Sequence, residues 1–137
     1  MSSSNVALVC RFFEEMCTGR RLDLAPVIFA ADCRFHDPQI PGIVGPQAIA
    51  DTVKAYQDGV EGHWKIEEIF AAGDDRVVAR WTGSGTHSGS IMGIAPTGRV
   101  IRVDAISVFR IANGKIAESW EVWDTLGFLQ QLGVVPK

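Results

Sequence analysis

One glutamate, Glu121, sits in the run SWEVWD among residues that are otherwise apolar or small. Two further segments, FHDP with His36 and Asp37 and GTHSG with His87, carry the other groups suited to moving a proton. A carboxyl kept from water loses solvation of its charged form, so its pKa climbs toward neutrality. A group poised there can take a proton and give it back. The chemistry these residues allow is acid/base work beside a carbonyl, with Glu121 as the shuttle. His36, His87 and Asp37 are the candidates for orienting the reacting group or relaying the proton.

Other chemistries find less support. The three cysteines, Cys10, Cys17 and Cys33, leave one thiol over in any disulfide scheme and show no CxxC spacing, and the three histidines show no HxH or HExxH spacing. Neither a metal nor a cofactor is expected. Net charge is −3 with no basic block, so a nucleic-acid groove, which needs clustered Lys and Arg, is not expected either. No run approaches the roughly 20 apolar residues of a membrane helix. The start MSSSN has no apolar h-region, and the expected location is the cytoplasm.

The elements that must position these groups follow from periodicity. A first helix is expected from an N-cap at Ser4, with Val6, Val9, Phe13, Met16 and Cys17 on one face and Gly19 as the stop. Asp23 caps a short second helix with Val27, Ile28 and Phe29 buried. CRFHDP reads as a short strand, and PQIPGIVGP as a loop. Pro46 opens a third helix with Ile49, Val53 and Tyr56 aligned. Strands are expected from Trp64 to Ala72, with Trp64, Ile66, Glu68 and Phe70 on one side, and from Arg76 to His87. Two more run from about Val100 to Ile111 and from Lys115 to Asp124, joined at Asn113-Gly114. A helical turn from Thr125 to Leu132 closes a single domain, residues 1–137. Helices first and strands after make an α+β fold, helices on one face of an antiparallel sheet.

The hairpin loop decides what surrounds Glu121, because a slip of one residue exchanges the faces of a strand. A two-residue loop sets Ile106 opposite Glu121, and a three-residue loop of Ala112, Asn113 and Gly114 sets Ala105 there. Composition favours the second. It groups Val103, Ala105, Ser107 and Phe109 with Ala117, Ser119, Glu121 and Trp123, a small-residue face that leaves room beside the acid. Arg102, Asp104, Arg110, Glu118 and Asp124 then fall on the other face with Ile106, Val108, Trp120 and Val122. Exposed apolar clusters of that kind mark interfaces, and a homodimer through the sheet is expected.

With these residues in place, the chain resembles the SnoaL-like polyketide cyclases of the nuclear-transport-factor-two-like superfamily, which also holds ketosteroid isomerases and limonene epoxide hydrolases. The likeness runs from the first helix through FHDP, GxHxGxxMGIxPTGR, R-x-x-x-G-K-I and the closing D-x-x-G-x-x-x-QLG. It implies a cone, a curved sheet wrapped around a long N-terminal helix, with an apolar cavity. It also implies closure of a polyketide ring by intramolecular aldol condensation without metal or cofactor, a pocket aspartate acting as acid and base. Glu121 falls on that aspartate's position, one methylene longer. His36 and Ser107 stand where the family carries asparagine and histidine.

The expected ligand is a hydrophobic small molecule walled by Phe12, Met16, Trp81, Ala105, Ser107, Phe109, Ser119 and Trp123, with Met92 on a glycine-rich lid. Three readings remain beside the cyclase. A binding module would hold such a ligand without turnover. Resemblance to the isomerases rests on Asp37, but Phe12 stands where their tyrosine would be. An epoxide hydrolase would use Arg102, Asp104 and Asp124, which the favoured register turns away from the pocket.

Overall fold

The structure, a computed structural model, describes residues 2–137. Its helices are α1 (Ser2–Arg11), α2 (Ala25–Ile28), α3 (Pro46–Val60) and α4 (Thr125–Gln131). Its strands are β1 (Phe29–Asp37), β2 (Ile40–Val44), β3 (His63–Ala72), β4 (Arg76–Thr86), β5 (Val100–Ala112) and β6 (Lys115–Trp123). Among the described residues they form one curved, unclosed sheet in the order β2-β1-β6-β5-β4-β3. The α+β class expected from the sequence is the class observed.

α1 includes Ser2, ahead of the expected cap, and runs on as a π-helical stretch, Phe12–Thr18. Gly19 ends it, donating its N–H to the Glu14 carbonyl at 2.9 Å. A side chain at position 19 would stand 2.5 Å from the Glu15 carbonyl oxygen, so only glycine fits. Val9, Phe12, Phe13, Met16 and Cys17 are all buried against the sheet. Phe12 meets Phe29 and Phe109 edge-on at centroid distances of 5.2 and 5.9 Å. Each such ring contributes roughly 1.5–3 kcal/mol by burial, so this helix is the axle of the main core. π-helical turns commonly occur at functional sites, and this one lies under the candidate site.

Four expectations need correction. The second helix is shorter than read: Val27 is half exposed and Phe29 already belongs to β1. PQIPGIVGP is not all loop, because Ile40–Val44 pairs antiparallel with β1 and buries Ile43. Pro41 is tolerated since β2 is an edge strand, where a missing N–H costs no ladder bond. The sheet is mixed, four neighbouring pairs being antiparallel and β1 running parallel to β6. In β3 the register shifts between Ile66 and Glu68. Beyond that bulge Ile69 packs on the core and Phe70 is left exposed, the reverse of the simple alternation.

The β5–β6 hairpin combines both loop options weighed above. The loop has two residues, Asn113 and Gly114, both at positive φ, with Ala112 paired to Lys115. A bulge then leaves Ala117 without a partner, because Ile111 pairs with Ile116 and Arg110 with Glu118. Ser107, rather than Ala105 or Ile106, therefore stands opposite Glu121. The face grouping of the three-residue loop is recovered by a different device.

Candidate active site

Two apolar clusters meet inside the curve of the sheet. The larger is built on α1 and β1. The smaller holds Val60, Ile91, Ile101, Val103, Phe128 and Leu132. A cavity lies where they join, its wall drawn from both clusters: Phe12, Phe13, Phe35 and Trp81 from one, Val60, Ile101, Val103 and Phe128 from the other. Trp123 packs against both, and Tyr56 against the smaller. His63 reaches solvent at the rim, and Asp37, Tyr56, Trp64, Gly83, Ser84 and Trp123 are half-buried.

Glu121 faces this cavity and is 6% exposed. Ser107 Oγ donates to Glu121 Oε2, and Ser119 Oγ donates to Oε1. Trp81 Nε1 donates to Ser107 Oγ at 2.8 Å, which directs the serine proton onto the acid. Burial raises the Glu121 carboxyl from an ordinary 4.5 to about 7. The two serine donors pull the other way, and the charge of Asp37 adds to the rise. The group thus sits where it can both hold and release a proton near neutrality.

Asp37 is the second carboxyl on the wall. Its Oδ1 accepts from the Gln39 N–H at 2.8 Å, the turn bond expected of an aspartate before proline. Its Oδ2 accepts from the Tyr56 hydroxyl at 3.0 Å, and Trp123 Nε1 approaches Oδ1 at 3.5 Å. Asp37 therefore ties its own turn through Oδ1 and meets Tyr56, a second lining residue, through Oδ2.

The family model for SnoaL-like polyketide cyclase matches residues 7–132. The chain belongs to the SnoaL-like polyketide cyclase family. It is 32% identical over 138 aligned positions to the aklanonic acid methyl ester cyclase DnrD of Streptomyces peucetius, covering 96% of this chain and 92% of that one. The aklanonic acid methyl ester cyclase AcmA of Streptomyces galilaeus is 29% identical, with the same coverage. Among solved structures, TsrD from Streptomyces laurentii superposes with a TM-score of 0.85 at 25% identity, covering 97% of each chain.

On this SnoaL-like frame the expected site residues divide. Glu121, Asp37, Phe12, Trp81 and Trp123 line the cavity. Ser107 and Ser119 touch Glu121 directly. Met16, Ala105 and Phe109 are buried in the core around it. Three residues lie elsewhere. His36, expected to orient the reacting group or relay its proton, is on the outer face, paired with Glu118 at 2.7 Å and stacked on Trp120. Phe35 takes the inward place, and Asp37 follows it by strand alternation.

His87 is fully buried away from the cavity wall, its Nδ1 2.9 Å from Thr97 Oγ1. It fastens the glycine-rich segment. Ser88 and Gly89 N–H groups both donate to the Gly59 carbonyl, and Ile91 is buried against Gly59. The segment expected as a lid is thus pinned along the end of α3, with Met92 on its exposed side. Arg102 and Asp104 pair at 3.7 Å in the open, and Asp124 caps α4 through the Gly127 N–H. An acid-arginine-acid set facing the cavity is not formed by them.

Sequence reasoning passed over Tyr56 and His63. The helical spacing of Tyr56 marked only a buried face, whereas its hydroxyl reaches Asp37. His63 pairs across the strands with Ser84 at the rim, a placement fixed by a long-range register that no local pattern carries. Cys33 has its thiol pushed up to about 12, mainly by burial, and that of Cys17 is also raised, so neither is a nucleophile near neutrality. Among the described residues no group of His, Cys, Asp and Glu is arranged to hold a metal ion, and no helix is long and apolar enough to cross a membrane.

Proposed function

We propose that this chain is an enzyme that moves a proton α to the carbonyl of a hydrophobic small molecule, ring closure of a polyketide by intramolecular aldol condensation being the concrete form. The observation that carries the reading is Glu121, a carboxyl buried in an apolar cavity with its pKa near 7. As carboxylate it removes the α-proton, leaving an enolate. The enolate carbon then forms the new bond to a second carbonyl of the same molecule. The alkoxide so produced takes the proton back from Glu121, and the acid is regenerated. The likeness to aklanonic acid methyl ester cyclases supports this choice of reaction.

The base is strengthened by its surroundings, because an apolar wall disfavours the carboxylate and so favours its taking a proton. Exchange of the C1 protons of 2-tetralone in heavy water, followed by proton NMR, tests the step without the natural substrate. The wild-type protein is expected to accelerate exchange by about a hundredfold or more over Glu121→Gln. Equal rates would defeat the reading.

One observation favours a second reading, a binding module without turnover. Both Glu121 oxygens already hold a serine hydroxyl, an arrangement that also suits a carboxyl serving only to orient a ligand. Under it, Glu121→Gln binds 2-tetralone as the wild type does and neither accelerates exchange.

The outer sheet face carries Ile106 and Val122, both more than half exposed, beside Trp120. We read this face as the contact of a homodimer. A cytoplasmic location fits the free thiols of Cys10, Cys17 and Cys33.

A further inference from the structure

Asp37 and Tyr56 form a corner of the cavity whose hydrogen-bonding polarity is fixed by the protons already committed there. The tyrosine has one hydroxyl proton, and it points to Asp37 Oδ2 at 3.0 Å. Burial, with the neighbouring Asp37 charge, raises the Tyr56 pKa, so the phenol keeps that proton. Asp37 Oδ1 is occupied by the Gln39 N–H at 2.8 Å and approached by Trp123 Nε1 at 3.5 Å. Thr52, on the same side of the cavity, spends its proton on the Ala48 carbonyl at 2.9 Å.

A carboxylate offers about four acceptor positions. Oδ2 therefore has one left, and the tyrosine oxygen keeps its lone pairs. The α3–β1 side of the cavity thus offers acceptors and no side-chain proton. Across the cavity, at the rim, Ser84, His63 and the Trp64 indole are able to donate.

We infer that Asp37, oriented by Tyr56, is a subsite that accepts a hydroxyl of the ligand, so that the molecule bound here carries a phenol or enol O–H at that end. A ligand presenting a carbonyl or ether oxygen there would set acceptor against acceptor in a half-buried corner, which costs a desolvation no partner returns. The inference rests on the reading of this cavity as the ligand site and adds the substituent that selects among flat apolar molecules. Asp37 thereby acts in specificity, while the proton shuttle stays with Glu121.

The test compares 2-naphthol with 2-methoxynaphthalene, two flat molecules that differ in the one proton, by quenching of the cavity tryptophans. Wild-type protein is expected to bind 2-naphthol at least about tenfold tighter, the value of a hydrogen bond to a charged acceptor. Asp37→Asn keeps the oxygen that serves Gln39 but turns an amide toward the cavity, so the preference should vanish or reverse. Asp37→Ser, whose hydroxyl can still accept from the Gln39 N–H, gives the same reading if the asparagine variant does not fold. His36→Gln, on the outer face beside Glu118, should keep the preference.

Equal wild-type affinities, or a preference that survives at both Asp37 variants, would overturn the subsite while leaving the Glu121 chemistry standing. Failure of both compounds to bind would remove the cavity reading itself, and the subsite with it.

Discussion

Trp81 holds Ser107: the indole N–H donates to the serine oxygen at 2.8 Å, and the serine's own proton is thereby turned onto Glu121. One hydrogen bond of the buried acid is thus oriented by a residue that does not touch it. Three groups on three strands, β4, β5 and β6, act as one unit.

Ser107→Ala breaks that unit at its centre. The ionised form of Glu121 loses a donor, so its pKa should rise above about 7. The Trp81 N–H is left buried without an acceptor, a cost of about 1–3 kcal/mol. Carbon-13 NMR of the glutamate carboxyls follows the first effect, and urea denaturation the second.

The raised carboxyl makes stability depend on pH with a definite sign. Between the ordinary value of 4.5 and the folded value of about 7 the native state holds the proton more tightly than the unfolded chain. Stability from this group is therefore fully present below about pH 4.5 and is lost as pH rises through about 7, by about 3 kcal/mol in all. Glu121→Gln should abolish that component. Urea midpoints of wild type and variant at pH 5 and pH 8 measure the difference between their slopes.

Gly85 lies where β4 crosses the end of α3. A methyl group at this position would stand 1.8 Å from the Val60 carbonyl oxygen, backbone against backbone. Gly85→Ala should cost about 2 kcal/mol or more, since neither side can give way. At Gly73, a turn residue with nothing within 4 Å of the added atom, the same change meets only the cost of its positive φ. Thermal melts of the two variants rank them.

If two copies associate through the outer face, a charge placed there separates them. Val122→Glu should sediment as a monomer under conditions where the wild type is a dimer, because a buried unpaired carboxylate is strongly disfavoured. His36→Gln, also on the outer face, should leave 2-tetralone affinity unchanged in a titration followed by tryptophan fluorescence.

Much of this was legible in the sequence. The inward direction of Glu121 followed from side-chain size alone, since Ser107, Ser119 and Ala105 could share a face with it and leave space. Pro46 and Asn113-Gly114 marked their elements by backbone chemistry that needs no partner. What escaped was set by pairing at long range. The bulges at Glu67 and Ala117 each move one residue out of line, and no local composition announces them. His36 and Asp37 are neighbours on one strand, so choosing which points inward required knowing that β1 lies against β6. β2 was hidden by its proline and glycine, which an edge strand accommodates.

The place of β6 has a consequence for how the molecule comes into being. This strand is inserted between β1 and β5 and runs parallel to β1, so the two halves of the sheet stay unjoined until Lys115–Trp123 has been synthesised. A nascent chain released from the ribosome short of Lys115 would have Asp37 but neither its acidic counterpart nor the strand that joins β1 to β5. Such a fragment lacks Glu121 and the Trp123 wall of the cavity, and the site matures only once β6 has been made.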